Sequence, residues 1–292
     1  MATQLAELEL LARAPREHAV DWSFHVAMAS GCVALFAVSM IVPVAMIVLA
    51  CACMLPAILW HDRGRYAKRD AALILPWIAM MFGVTPTATA RCEALGFPFR
   101  DVALARIDRA LGLDVRAIVA WCAMHPRIDS LLTHAYYTLG WFLAATIVFL
   151  VLAGRKIELE RLMLANLFAF LISVPLCAVA PAIGAWVGYG FAPSAAQRSA
   201  ELWVLGRQSP LITLPSFHVI WAILAASSLW YLRALRLPVA AFTALIVIST
   251  VTTGWHYAID AFAGLLIAYI SLWIVDELLR SVLHARESHH GT

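Results

Sequence analysis

The segment Gly254-Trp255-His256-Tyr257-Ala258-Ile259-Asp260 runs straight into AFAGLLIAYISLWIV, residues 261–275, which carries no charge. A second polar cluster, Pro215-Ser216-Phe217-His218, opens another apolar run, Val219–Leu232. Ionisable side chains at membrane depth are costly and therefore mark function by default. His256 and Asp260 stand four apart, so on a helix they share a face and the carboxylate can orient the imidazole. The two clusters are read as one intramembrane active site made of His218, His256 and Asp260.

Composition fixes the class of protein around that site. The chain has 292 residues, of which 63% are hydrophobic and 13% charged, with mean hydropathy +0.84. Globular domains carry about 45–50% apolar and about 25% charged residues, so the expectation is an all-α, polytopic transmembrane bundle. No polar block is large enough for a soluble domain. The net charge of +3 comes from clustered Arg and Lys and is read as topology, with no nucleic-acid partner. The six cysteines show no CxxC or zinc spacing. Cys92 and Cys122 flank one polar loop and are a candidate pair if it faces an oxidising compartment. Some twenty mixed-charge residues precede the first apolar stretch, which argues against a signal peptide.

A spanning helix needs about 20 apolar residues. Eight candidate spans follow: a hairpin in 24–60 turning near Val42-Pro43, then 71–90, 130–153, 162–183, 214–232, 238–254 and 257–278. With the N-terminus cytoplasmic, the inner segments hold Arg13, Arg16, Arg63, Arg65, Lys68, Arg69, Arg155, Lys156, Arg161, Arg233, Arg236, Arg280 and Arg286 of the 21 basic residues. The positive-inside rule favours that orientation, which puts His218 and His256 on the same, non-cytoplasmic side. The expected divisions are N-terminal helices (1–92), an extracytoplasmic amphipathic segment (93–127), a catalytic core (128–280) and a disordered tail (281–292). In the amphipathic segment, Asp101–Leu113 sets Val102, Leu104, Ala105 and Leu111 against Arg106, Asp108 and Arg109. It reads as an interfacial collar or lid, or as a solvated connection with one apolar face on the bundle.

The chemistry suggested is phosphoryl transfer. A neutral imidazole attacks phosphorus well when its other ring nitrogen is tethered, and a carboxylate one turn away supplies the tether and stabilises the charge that develops. His256 is the expected nucleophile, Asp260 its support, and His218 the general acid. Both histidines lie near expected helix N-termini, where free N–H groups favour phosphate; Ser216 adds a hydroxyl. Fixed positive charge on the non-bridging oxygens calls for Arg, and Arg198 and Arg207 in the preceding loop are the candidates, Arg198 favoured. Each is also readable as a plain loop charge.

Leu214-Pro215-Ser216-Phe217-His218-Val219, followed by Gly254-Trp255-His256-Tyr257-Ala258-Ile259-Asp260-Ala261-Phe262-Ala263-Gly264, resembles the type 2 phosphatidic acid phosphatase superfamily. It is most similar to the branch containing the inositol phosphorylceramide synthases, with Pro-Ser-x-His and then His-Tyr-x-x-Asp-x-x-x-Gly. The likeness covers roughly residues 130–280. It implies a six-helix core, an extracytoplasmic site, no metal or other cofactor, and a phosphohistidine on His256. The broader superfamily has Gly where this chain has Phe217, and Ser-Arg where it has Ser249-Thr250. No clear Lys-x6-Arg-Pro first motif is visible. These departures resemble the inositolphosphotransferase-like branch and leave one phosphate clamp unfilled, which raises the weight on Arg198 and Arg207. Pro181-Ala182-Ile183-Gly184 looks like that branch's break after the fifth span.

His25, His61, His125, His134 and His284 lack such partners and are read as structural. Tyr136 and Tyr137 either face the site or anchor the interface. Glu158, Glu160 and Arg161 are read as a solvated cytoplasmic face, and Asp276 and Glu277 as remote from the site. The leading expectation is a membrane enzyme of lipid metabolism acting on a lipid or polyprenyl phosphate ester. Water as acceptor makes it a phosphatase, favoured slightly because water is always present. An alcohol acceptor makes it a transferase moving a phospho-headgroup such as phosphoinositol. The alternatives are a metal-dependent hydrolase or oxidase using the two His and the Asp as ligands, and a non-catalytic transporter or scaffold. The Arg- and Ala-rich composition and short loops point to a bacterial inner membrane, with a periplasmic site and both termini cytoplasmic.

Overall fold

The computed structural model describes residues 24–30, 68–70, 73, 74, 77, 95–205 and 213–290. Among these there is no strand. The order is α1 (Asp101–Ala110), α2 (Val115–Ala123), α3 (Pro126–Tyr137), α4 (Leu139–Leu152), α5 (Lys156–Val179), α6 (Ala185–Tyr189), α7 (Ala195–Leu205), α8 (Phe217–Ser228), a 3-10 turn at Arg233–Leu235, α9 (Arg236–Thr252) and α10 (Ala258–His290). The all-α expectation therefore holds for the described residues. The expected spans in 24–60 and 71–90, Cys92 and Arg207 lie largely or wholly outside them.

Among the described residues three helices have the length and apolarity to cross a membrane: Lys156–Val179, Arg233–Thr252 and Ala258–Ser281. A fourth is added if α3 and α4, bent by 45° at Thr138, count as one broken span. The expected span at 214–232 is instead a helix of 12 residues, about 18 Å long at 1.5 Å per residue and short of the ~30 Å hydrocarbon layer. Pro215, after a cis bond to Leu214, precedes the helix and fixes where the chain turns into it. α10 runs on to His290, into the segment expected to be a disordered tail.

α10 carries its sequence pattern inside out. Ala261, Gly264, Ile267, Ala268, Ser271, Leu272 and Val275 are buried, while Phe262, Leu266, Tyr269 and Trp273 are exposed. An inward face of small and aliphatic residues with aromatic and large apolar ones outward suits a helix packed against protein on one side and lipid on the other. Gly264 is part of that fit, since a Cβ there would lie 2.7 Å from the Ser216 carbonyl oxygen and 3.0 Å from Val219 Cβ. α10 and α8 can come together only because the side chain is missing. α5 completes the core from the other side through Leu159, Leu162, Met163, Phe170 and Val174.

The charged end of this bundle differs from the expectation. Glu158, Glu160 and Arg161 are buried rather than solvated, and Arg161 is only 1% exposed. The Arg161 guanidinium makes a forked pair with Asp276, Nη2 to Oδ2 at 2.9 Å, and reaches Ser227 Oγ at 3.2 Å. Lys156 pairs with Glu160 at 3.0 Å and approaches Asp70 at 3.9 Å. Helices that meet at this end bring their charges together, and a buried charge persists only when paired. Asp276 lies about 24 Å along α10 from Asp260 at 1.5 Å per residue, so this cluster and the histidines cap opposite ends of the same helices.

Candidate active site

Chain crossings that a linear sequence does not display bring His218, His256 and Asp260 together. His218 sits in the first turn of α8 and His256 in the turn before α10, with ring centroids 5.8 Å apart at 62°. His256 and Asp260 are buried, Asp260 completely. His256 Nδ1 lies 3.0 Å from the Thr213 carbonyl oxygen and 3.5 Å from Asp260 Oδ2. A carbonyl only accepts, so this contact puts the proton on Nδ1 and leaves Nε2 with its lone pair free. The tether is thus shared, with the backbone of Thr213 the nearer partner and the carboxylate the second. Thr213 is itself fixed, its hydroxyl donating to the Ala182 carbonyl at 3.0 Å.

Asp260 has a second task. As the third residue of α10 it reaches back to accept from the Tyr257 N–H at 3.0 Å, the acidic half of a capping box. The next two N–H groups, of Ala258 and Ile259, donate to Asp108 at 2.9 Å each. The N-terminus of α10 is therefore closed by protein carboxylates, which corrects the expectation that both helix starts offer free donors to phosphate. The start of α8 differs. Ser216 makes no capping bond there, and its buried hydroxyl has no partner.

Asp108 also corrects the reading of α1. The buried residues of that helix are Asp101, Leu104, Ala105 and Asp108, at spacings of three and four, while Val102 and Leu111 are exposed. Its inner face thus carries two carboxylates. Asp101 accepts from the N–H groups of Ile183 and Gly184 and from the Tyr257 hydroxyl at 2.8 Å. Burial raises both carboxyls above the ordinary carboxylate value, against the donors that pull them down. The phenol of Tyr189 approaches Asp108 at 3.4 Å, and burial pushes it up to about 12. Gly188 permits this junction, since a Cβ there would lie 2.4 Å from the Asp101 carbonyl oxygen and 2.5 Å from the Tyr257 hydroxyl. The sequence signal for these aspartates was their spacing of seven, which puts both on one helical face.

The two tyrosines divide. Tyr136 is buried and stacks on His218, with centroids 4.0 Å apart at 14°, and lies parallel to Trp255 at 6.0 Å. Tyr137 is 57% exposed. Ser249 and Thr250 are buried with their hydroxyls bonded to carbonyls of their own helix, so neither is presented to a ligand. Arg198 is exposed on α7, and its side chain makes no bond among the described residues. Its neighbour Gln197 is buried and donates to the Thr253 carbonyl at 3.0 Å, which ties α7 to the loop before His256. His25 accepts from the Trp77 indole N–H, His125 bonds the Trp121 carbonyl of α2, and His134 bonds the Ser130 carbonyl of its own helix. Cys122 and Cys177 are buried, and the Cys177 thiol donates to the Leu214 carbonyl at 3.1 Å. Among the described residues no three His, Cys, Asp or Glu side chains cluster as metal ligands would.

The family model described as PAP2 superfamily matches residues 102–274, more than half of the chain. The chain belongs to the PAP2 superfamily. The match begins in α1 and ends in α10, so it takes in both histidine motifs and the helix carrying Asp101 and Asp108 apart from its first residue. No curated protein and no solved structure matches the chain. Membership of this superfamily suggests a phosphoryl-transfer enzyme of the phosphatase type, and the apolar helices suggest that it works in a membrane.

Proposed function

We propose that the protein is an integral membrane phosphatase acting on lipid or polyprenyl phosphate esters through a phosphohistidine on His256. The observation that carries this reading is the Nδ1 tether to Thr213 and Asp260, which leaves Nε2 as the nucleophile beside His218. Nε2 attacks phosphorus, the bond from phosphorus to the ester oxygen breaks, and His218 gives that oxygen a proton. Water then attacks the phosphohistidine and loses a proton to His218, which releases inorganic phosphate and restores Nε2. Asp260 stabilises the imidazolium formed on the way.

The phosphate is proposed to rest at the start of α8, where the first-turn N–H groups are uncapped and the Ser216 hydroxyl is unpartnered. Arg198 or Arg207 closes over the non-bridging oxygens. Thr250, where the broader superfamily has Arg, favours a second reading, the inositolphosphotransferase-like branch, in which a lipid alcohol replaces water. The reaction needs no metal in either reading. A layout of eight crossings in which α8 is a short one, with a six-helix core, divisions at 92 and 127, and a periplasmic site in a bacterial inner membrane, belongs to this proposal. That layout rests on the pattern of basic residues and apolar runs.

The test is phosphate release from a panel of lipid phosphates by detergent-purified protein, with and without EDTA, beside His256→Ala. Chelator-resistant release that disappears in the variant is the expected result. Release that persists in His256→Ala, or that EDTA abolishes, would sink the mechanism. Turnover seen only with an added lipid alcohol selects the transferase.

A further inference from the structure

Beyond the histidines and Asp260, the structure assigns a positioning role to Asp108, carried by a helix that touches neither histidine in sequence. The inference rests on the proposed chemistry at His256. Asp108 comes from α1, about 150 residues before the site, and its fully buried carboxylate spends both oxygens on the N–H groups of Ala258 and Ile259. Those are two of the three residues between His256 and Asp260. The same helix sends Asp101 to the Tyr257 hydroxyl and to the N–H groups of Ile183 and Gly184. The one proton of the Tyr257 hydroxyl is shared between Asp101 and the Gly184 carbonyl at 2.7 Å, and its oxygen accepts from the Gly188 N–H at 3.1 Å.

The consequence is geometric. His256 precedes α10, so its ring position depends on how the first turn of that helix is held. Three successive N–H groups there end on carboxylates, Tyr257 on Asp260 and the next two on Asp108. Without Asp108, two buried donors lose their acceptors and the turn must shift to reach others. Such a shift moves Nδ1 off the Thr213 carbonyl, and with it the direction of Nε2. A displacement near 1 Å at a reacting centre costs about 100-fold in rate. An ordinary helix cap would affect folding alone, whereas this one is placed to set the tautomer and aim of the nucleophile.

The test uses the full chain in detergent, with two readouts. The first is steady-state turnover of a short-chain lipid phosphate by wild type, Asp108→Ala and Asp108→Asn. A drop in kcat of about 10- to 100-fold in the Ala variant, with KM within about twofold, is expected for lost transition-state alignment. Asn keeps one acceptor oxygen for two donors, so it should recover part of the loss. The second readout is the 15N spectrum of histidine-labelled protein, with His256 assigned by its loss in His256→Gln. Wild type should show a protonated Nδ1, and the Asp108 variants a mixture of tautomers. An unchanged tautomer, or a raised KM at wild-type kcat, would overturn the positioning role. If Asp108→Ala does not fold, Asp108→Asn at wild-type thermal midpoint decides by the same criteria. If the wild type turns over no phosphate ester, the proposed function fails while the tautomer still answers for Asp108.

Discussion

At the residue scale, the imidazole of His256 is held by two acceptors of unequal distance, a backbone carbonyl at 3.0 Å and a carboxylate at 3.5 Å. Where a carboxylate alone orients a catalytic histidine, neutralising it costs on the order of 10⁴-fold because the wrong tautomer results. Here Thr213 keeps the tautomer when the charge is gone. Asp260→Asn should therefore lose less than that, chiefly through the weaker support of the imidazolium. Single-turnover rates of phosphoenzyme formation check it, and a loss of the full 10⁴ would assign the tether to Asp260 alone. The spacing of His256 and Asp260 was legible from the sequence because four residues is one helical turn. The Thr213 carbonyl was not, since backbone acceptors carry no residue signature and Thr213 is 43 positions away.

At the element scale, α8 and α10 meet across Gly264, and α1 closes the first turn of α10. Gly264→Val puts a branched side chain where a Cβ already lies 2.7 Å from the Ser216 carbonyl. Overpacking of this kind costs about 1–3 kcal/mol. The expected outcome is a lower thermal midpoint together with reduced turnover, since Ser216 and His218 would move with α8. A variant that keeps both would show that the two helices separate freely. The amphipathic character of α1 was visible in the sequence, but its direction was not. Leu104 and Ala105 face inward as an apolar stripe should, yet two aspartates flank them because the surface beneath is a row of unpaired N–H groups rather than hydrocarbon. The 12-residue length of α8 was equally hidden, because apolar composition continues through Trp230 and Tyr231 after the helix ends.

At the scale of the whole molecule, the bundle is pinned at both ends by polar contacts and filled between them by apolar ones. The Arg161–Asp276 pair joins α5 to α10, with Ser227 of α8 as a third point. Removing one member of a buried pair costs about 3–5 kcal/mol, while replacing both with apolar residues of similar volume is often neutral. Arg161→Met and Asp276→Leu should each lower stability strongly, and the double variant should recover most of it with turnover intact. Unfolding in detergent followed by circular dichroism checks this. A double variant as unstable as the sum of the singles would mean that the two side chains act separately.

The sequence alone pointed to helices suited to a membrane, because a 63% hydrophobic composition with long uncharged runs admits few other solutions, and the described residues are helical. It also singled out His218, His256 and Asp260 as the candidate site, since ionisable side chains beside long apolar runs are costly. Only the tertiary structure decided what holds them. The Thr213 carbonyl, the Tyr136 ring over His218 and the carboxylate of Asp108 all come from distant parts of the chain. Such partners are chosen by which helices lie side by side, and local periodicity carries no record of that.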